Sequence, residues 1–244
     1  MKRTYTWEPN AETVLHEPTV RAASVALARY GCDGATGRLQ GDPVFEEITE
    51  GRQASWMVNG KKRSYSGCGD LIHWVLWRLM GADPYTGDSP EAKRARAELK
   101  RWMNRAEAYG WKTGFNIAKL RWKCGAWRSF KKGEFDPQPG DCLLIGEGGR
   151  EHVAIFEGRD GDTYTSLDYG QFFNGKHGGK LCTRRIARGG DGRIHVGNAR
   201  LRPVIGVVDV WKAAILVHPT FAALVPDTFD GGVPSDNPHD PEDP

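Results

Sequence analysis

Tyr65-Ser66-Gly67-Cys68-Gly69-Asp70 runs directly into Leu71-Ile72-His73-Trp74-Val75-Leu76-Trp77-Arg78-Leu79-Met80, and Gly81 closes the stretch. Leu71, Ile72, Val75, Leu76 and Leu79 recur at helical spacing and paint one face apolar, which predicts an amphipathic helix with a cysteine at its start. A thiol in that place meets unpaired backbone N–H groups and the positive end of the helix dipole. Both favour thiolate, the form that attacks carbonyls, and the same N–H groups can hold an oxyanion. Gly67 and Gly69 flank the cysteine and allow close backbone approach. A free cysteine is equally at home as a small buried hydrophobe, and that reading of Cys68 stands beside the first. Asp70 reads either as a further polar group near the thiol or as a first-turn acid favoured by the dipole.

Upstream of this stretch, Glu17 to Tyr30 predicts a helix, with Pro18 in its first turn and Gly31 just past its end. A Gly-rich turn (31–41) follows, then the short runs Val44–Ile48 and Ala54–Val58, the second ending in the hairpin signal Asn59-Gly60. Downstream, Ser89-Pro90-Glu91 starts a further helix that reaches about Ala108 and stops at Gly110. From Lys93 to Lys132 there are thirteen Lys/Arg against two acids, with Trp102, Trp111, Trp122 and Trp127 interleaved. That stretch suits either stacking on bases or sugars or helix packing with a solvated charged face.

After Gln138 the pattern changes to short strands separated by Gly and Asp: Cys142–Ile145, His152–Glu157, Thr163–Asp168, Leu181–Ile186 and Val204–Val210. Helices first and an antiparallel meander after them predict an α+β domain. The expected organisation is an N-terminal helix and hairpin extension (1–60), a main domain (61–215) with a helical insertion (89–132), and an acidic disordered tail (226–244).

Composition bounds the function classes. The 244 residues are 39% hydrophobic and 27% charged, with a formal charge of +3. No apolar run of membrane-spanning length occurs, so no membrane span is expected. The first ten residues carry no apolar stretch of the secretory kind, which predicts a protein cytoplasmic as made, or released by lysis or a dedicated secretion route. The five cysteines are odd in number, widely spaced and free of any C-x-x-C, which argues against zinc and disulfide frameworks. Beyond Lys212 there are six acids and no Lys or Arg, so the body is more basic than the whole. A basic body fits a polyanionic partner, whether cell-wall polymer, nucleic acid or membrane surface, or simply solubility.

His152 opens the strand His152-Val153-Ala154-Ile155-Phe156-Glu157, so His152, Ala154 and Phe156 share a face. At a sheet edge it could reach a packed helix N-terminus as a general base, or remain a surface histidine. A base needs an orienting group. Asp168 at the end of the next strand is first in line, with Gln171 and Asn174 as polar alternatives. His73, His177, His195, His218 and His239 read as exposed or remote, and Cys32, Cys124, Cys142 and Cys182 as structural.

Taken in order, Gly67-Cys68-Gly69-Asp70 leading a helix, Pro139-Gly140-Asp141 leading the strand Cys142-Leu143-Leu144-Ile145, and His152-Val153-Ala154-Ile155 resemble the NlpC-type and CHAP-type papain-like amidases. The resemblance spans about Tyr65 to Val210. It implies a papain-like core in which a Cys-bearing helix packs on an antiparallel sheet, and hydrolysis of an amide or isopeptide bond through an acyl-enzyme. It implies Cys68 as nucleophile, His152 as base and Asp168 as orienting acid, with Gly67, Gly69 and Gln171 at the oxyanion and substrate-binding positions. The sequence departs from the family at Gly170, where CHAP enzymes often carry an asparagine, and at Gly69-Asp70. No metal or organic cofactor is required by this chemistry. The implied substrate is peptidoglycan peptide or a protein. The alternatives are a basic, Trp-rich nucleic-acid-binding protein and a catalytically degenerate relative.

Overall fold

The computed structural model describes residues 13, 15–33, 37–49, 55–58, 61–64, 68–79, 90, 126–146, 152–173 and 176–217. Four helices occur among them: α1 (Glu17–Cys32), α2 (Pro43–Thr49), α3 (Cys68–Leu79) and α4 (Val210–Val217). The strands are β1 (Arg38–Leu39), β2 (Ser55–Val58), β3 (Lys61–Ser64), β4 (Trp127–Ser129), β5 (Cys142–Ile145), β6 (His152–Asp160), β7 (Thr163–Phe173), β8 (Lys176–Arg188), β9 (Ile194–Gly197) and β10 (Arg202–Val208).

Helix α1 begins with Glu17 and Pro18 in its first turn, and Asp33 closes it in the left-handed conformation, φ 51°, with its N–H bonded to the Arg29 carbonyl. The glycine expected to stop this helix lies inside it. Gly31 is a contact residue: a Cβ there would stand 2.7 Å from Leu71 Cδ1 and 3.0 Å from Ile48 Cδ1. Its bare backbone therefore lets α1 lie against both α2 and α3. The run Val44–Ile48 is helical, because Asp42 Oδ1 accepts from the N–H of Val44 (2.7 Å) and Phe45 (3.4 Å) and Pro43 takes the first helical position. β2 and β3 pair antiparallel with Val58 opposite Lys61, and Asn59-Gly60 between them falls outside the described residues.

The strands beyond residue 140 form an antiparallel sheet that meets itself. β8, β7, β6, β5, β10 and β9 follow one another by hydrogen bonding, and β9 pairs back onto β8. The open meander expected from the sequence is thus a closed six-stranded barrel. Closure follows from the lengths. β8 has 13 residues, enough to carry β7 along one part and β9 along another, and the irregularity between Val204 and Gly206 bends β10 across to both β5 and β9. β1 and β4 flank the barrel on β8 and β10. The strand expected to reach Val210 ends at Val208, because Asp209 Oδ1 accepts from Trp211 N (3.0 Å) and Lys212 N (3.1 Å) and starts α4. The basic helical insertion lies outside the described residues except at its end, where Trp127–Ser129 is a strand.

Alternation along each strand separates two apolar clusters. Leu143, Ile145, Ala154, Phe156, Tyr164, Ile186, Val196, Val204 and Val207 fill the barrel. Cys142, Leu144, Val153, Ile155, Leu167 and Tyr169 face outward and meet Leu27, Leu71, Ile72, Val75, Leu76 and Leu79 of the helices. The apolar stripe read on α3 is its buried face, and each large side chain so buried contributes about 1.5–3 kcal/mol. The helix expected to pack on an antiparallel sheet does so, against β6 and β7. Helix α1 also packs on α3, β7 and β8, so the N-terminal helix shares this core.

The Pro-Gly-Asp turn ties the layers together. Ser24 Oγ donates to the Gly140 carbonyl at 3.1 Å, and Asp141 Oδ1 accepts from Arg21 at 2.5 Å and from Val210 N at 3.3 Å. Arg21 also reaches Asp209 Oδ2 at 3.1 Å and Glu17 Oε1 at 2.7 Å. One arginine therefore pins α1 to the start of β5 and the start of α4.

Candidate active site

Cys68 is the first residue of α3 and is 4% exposed. Packing of α3 on the outer face of β6 and β7 brings that helix end to the start of β6, where His152 lies. The Cys68 thiol and the His152 ring are hydrogen-bonded. His152 Nε2 stands 2.5 Å from Asp168 Oδ2. The three residues singled out as nucleophile, base and orienting acid are therefore contiguous, and all three are buried.

Register explains how the acid gets there. Ala154 pairs with Asp168, which places Asp168 on the same face as His152 two residues before Ala154. Asp168 is not the end of its strand, which continues to Phe173 through a bulge. From Asp168 to Gln171, β7 spends three residues where β8 spends two, Lys180 to Gly178. Gly170 takes φ 66° at this point, a conformation that a side chain would strain. The extra residue shifts the alternation, so that Gln171 rather than residue 170 shares a face with Asp168. Gln171 Nε2 lies 3.3 Å from His152 Nδ1 and 3.4 Å from Nε2. Nearly equal distances place the amide against the ring, in line with neither nitrogen. Gly69 lies half-buried in the first turn of α3, whereas Gly67 and Asn174 fall outside the described residues.

Behind the acid stands a residue that sequence reasoning missed. Arg184 of β8 donates to Asp168 Oδ1 at 2.8 Å and to Oδ2, and also to Ser166 Oγ at 2.6 Å. Ser166 Oγ in turn donates to Asp168 Oδ1 at 2.6 Å. The signal was phase: of the pair Arg184-Arg185, only Arg184 is in step with the buried Ile186 and so faces the barrel interior.

The electrostatics follow from this arrangement. Burial would drive the proton off His152, but the Asp168 carboxylate and then Cys68 hold it, and the ring's pKa is raised to about 9. Burial would likewise neutralise Asp168, yet His152 and Arg184 hold its carboxyl well below the usual carboxylate range. Burial pushes the Cys182 thiol up to about 11 and those of Cys32 and Cys142 well above the ordinary value. They sit as inert thiols, whereas Cys68 faces an imidazole. Asp70 is 6% exposed, and its charge, after burial and Cys32, helps push the Tyr169 phenol up.

Other residues fall elsewhere. His177 and His195, read as loop-like, lie in β8 and β9, and His195 bonds Asp191 at 3.0 Å. His73 lies in α3, while Cys124, His218 and His239 fall outside the described residues. Where the basic Trp-rich stretch is described, Arg128 pairs with Asp136 at 2.7 Å and covers the Phe130 ring. Among the described residues no group of three or more His, Cys, Asp or Glu is placed to hold a metal ion, and no helix is long and apolar enough to cross a membrane. Comparison of the chain with protein-family models, with curated proteins and with solved structures returned no match.

Proposed function

We propose that the protein is a thiol hydrolase that cleaves an amide or isopeptide bond through an acyl-enzyme. The observation that carries this reading is a single buried imidazole hydrogen-bonded both to a helix-start cysteine and to a carboxylate. Asp168 occupies Nε2, which leaves Nδ1 as the nitrogen for the thiol. Cys68 sulfur attacks the carbonyl carbon while its proton resides on His152. His152 then gives that proton to the leaving amine, and the thioester forms as the C–N bond breaks. Water attacks the thioester, gives a proton to the now neutral His152, and the proton returns to the departing sulfur. The Cys68 backbone N–H at the head of α3 is the proposed oxyanion donor, with Gly69 and Gln171 as the proposed substrate-binding residues beside it.

The finer fold assignment belongs to the same proposal: an NlpC/CHAP-like core in which the sheet carrying the base has closed into a barrel. Peptidoglycan stem or cross-bridge peptide is the proposed substrate on the strength of the sequence resemblance, with a protein amide as the next class to assay. Release by lysis or by a dedicated secretion route is the delivery that fits a wall substrate.

The test is iodoacetamide labelling near neutral pH, read site by site by mass spectrometry, on wild type and His152→Ala. Cys68 should label at least tenfold faster than Cys32, Cys142 and Cys182, and His152→Ala should remove that advantage. Peptidoglycan and protein digestion then assign the bond. Equal labelling of all thiols would refute the hydrolase.

A further inference from the structure

We infer that Arg184 is a positioning residue that sets the working charge state of the base: gripping Asp168 from behind, it keeps the carboxylate oriented and ionised while loosening the hold of His152 on its proton. The inference rests on the thiol-hydrolase reading and adds a member to its machinery that touches neither substrate nor thiol.

The geometry is a shared oxygen. Asp168 Oδ2 receives both His152 Nε2, at 2.5 Å, and the Arg184 guanidinium. Two donors on one oxygen lie within about 5 Å of each other. Protonated His152 and Arg184 are then like charges at short range, which disfavours the imidazolium. At an effective dielectric of about 20, a unit charge at that distance is worth roughly two pH units. Meanwhile the fork on Oδ1 and Oδ2, with Ser166 on Oδ1, fixes the plane of the carboxylate.

The chemistry needs such a counterweight. With Arg184 in place the ring's pKa already stands at about 9, and a buried aspartate paired with histidine alone would hold the imidazolium proton higher still. In acylation the protonated ring is wanted, to release the amine. In deacylation the neutral ring is wanted, to take a proton from water. A base locked in the charged form completes only the first half. Arg184 is 15% exposed on its side chain, in a barrel whose interior is otherwise filled by Phe156, Tyr164, Ile186 and their neighbours. Burying a guanidinium there is costly unless its partner is worth holding.

The groups facing His152 come from several elements. β7 supplies Asp168 and α3 supplies Cys68, which act on the ring directly; around Asp168 stand Arg184 and Cys182 of β8, Tyr164 of β7 and Cys32 of α1. Arg38 and Lys180 act on Cys32 and Cys182 in turn. Burial keeps Tyr164, Cys32, Cys142 and Cys182 neutral. Among the described residues, the charges left around the ring and its carboxylate are those of Cys68, Asp168 and Arg184, of which Arg184 is the cation.

The experiment follows alkylation of Cys68 by iodoacetate from about pH 5 to about pH 11.5, a range that covers the expected limb in every variant, resolved by mass spectrometry. Iodoacetate is an anion drawn to a thiolate–imidazolium pair, so its rate rises as the pair forms and falls as His152 loses its proton. Two variants remove the charge, Arg184→Gln keeping a donor and Arg184→Met keeping none, so that one failing to fold leaves the other. Arg184→Lys keeps the charge without the fork, and Ser166→Ala removes a hydrogen bond without changing charge. The falling limb should move up by about one to two pH units in Arg184→Gln and Arg184→Met, and stay within about 0.3 of wild type in Arg184→Lys and Ser166→Ala. A limb that stays put in the charge-removing variants while Cys68 remains selectively reactive overturns the inference and leaves the hydrolase intact. A wild type with no bell and no selectivity overturns the hydrolase itself.

Discussion

Two buried Asp–Arg pairs hold this molecule together, and they behave oppositely. At the layer junction, Arg21 is divided among Asp141, Asp209 and Glu17. At the barrel end, Asp168 is divided between Arg184 and His152. Both aspartates are buried, and burial pushes each toward its neutral form. With one cation shared by three carboxylates, burial prevails at Asp141, whose pKa is raised to about 6 despite Arg21. With two donors on one carboxylate, the attraction prevails at Asp168 and holds it ionised. The same residue pair thus makes a structural staple in one place and a charged anchor for a base in the other. The ratio of cations to anions decides which.

The contrast is broken most severely at Arg21. Arg21→Met leaves the buried Asp141 and the half-buried Asp209 without their cation and should cost about 3–5 kcal/mol in urea unfolding, while Cys68 alkylation in the folded protein stays within about twofold of wild type. Asp168→Asn comes next. It keeps the shape but removes the charge that orients and protonates His152, so selective alkylation of Cys68 near neutral pH should fall by about tenfold or more.

Stability against pH separates the two regions further. The His152 pKa is about 9 in the folded protein, above its ordinary 6.5, so the native state binds that proton more tightly than the unfolded chain. Its stabilisation is complete below about pH 6.5 and is lost as pH rises through about 9. Asp168→Asn should abolish that decline. Asp141 titrates near 6 when folded, against 3.8 ordinarily, so its contribution falls as pH rises from about 4 to about 6. Asp141→Asn should flatten that lower window and leave the upper one intact. The smallest effect belongs to Gly170→Ala. A side chain at φ 66° should cost about 1 kcal/mol by thermal or chemical unfolding.

The two regions also differ in how far the sequence disclosed them. The apolar stripe on α3, the strand Cys142–Ile145 and the His152–Glu157 part of β6 follow from local spacing, and so were legible. Cys68, His152 and Asp168 were legible as chemical types at element starts and ends, and the structure brings them together. What lay beyond reach is set by pairing between distant segments. The closure of β8 through β9 onto β10 depends on strand length and bend, which residue type does not announce. Arg184 reaches Asp168 across the β7–β8 register, in which Tyr164 faces Arg184 and Ser166 faces Cys182. Gly31 looked like a stop signal because its packing against Leu71 and Ile48 is invisible along the chain. The helix at Val44–Ile48 could have been read, since Asp42-Pro43 is a cap followed by a first-turn proline.

Cys68 belongs to a helix laid against the outside of the barrel, while His152 and Asp168 belong to the barrel wall. The proposed nucleophile and base are therefore mounted on different bodies, joined by apolar side chains rather than by a continuous hydrogen-bonded ladder. Such a seam can open locally at lower cost than a ring of strands in which every member has two neighbours. On heating, selective alkylation of Cys68 should therefore be lost while the circular dichroism of the strands is still that of the native barrel.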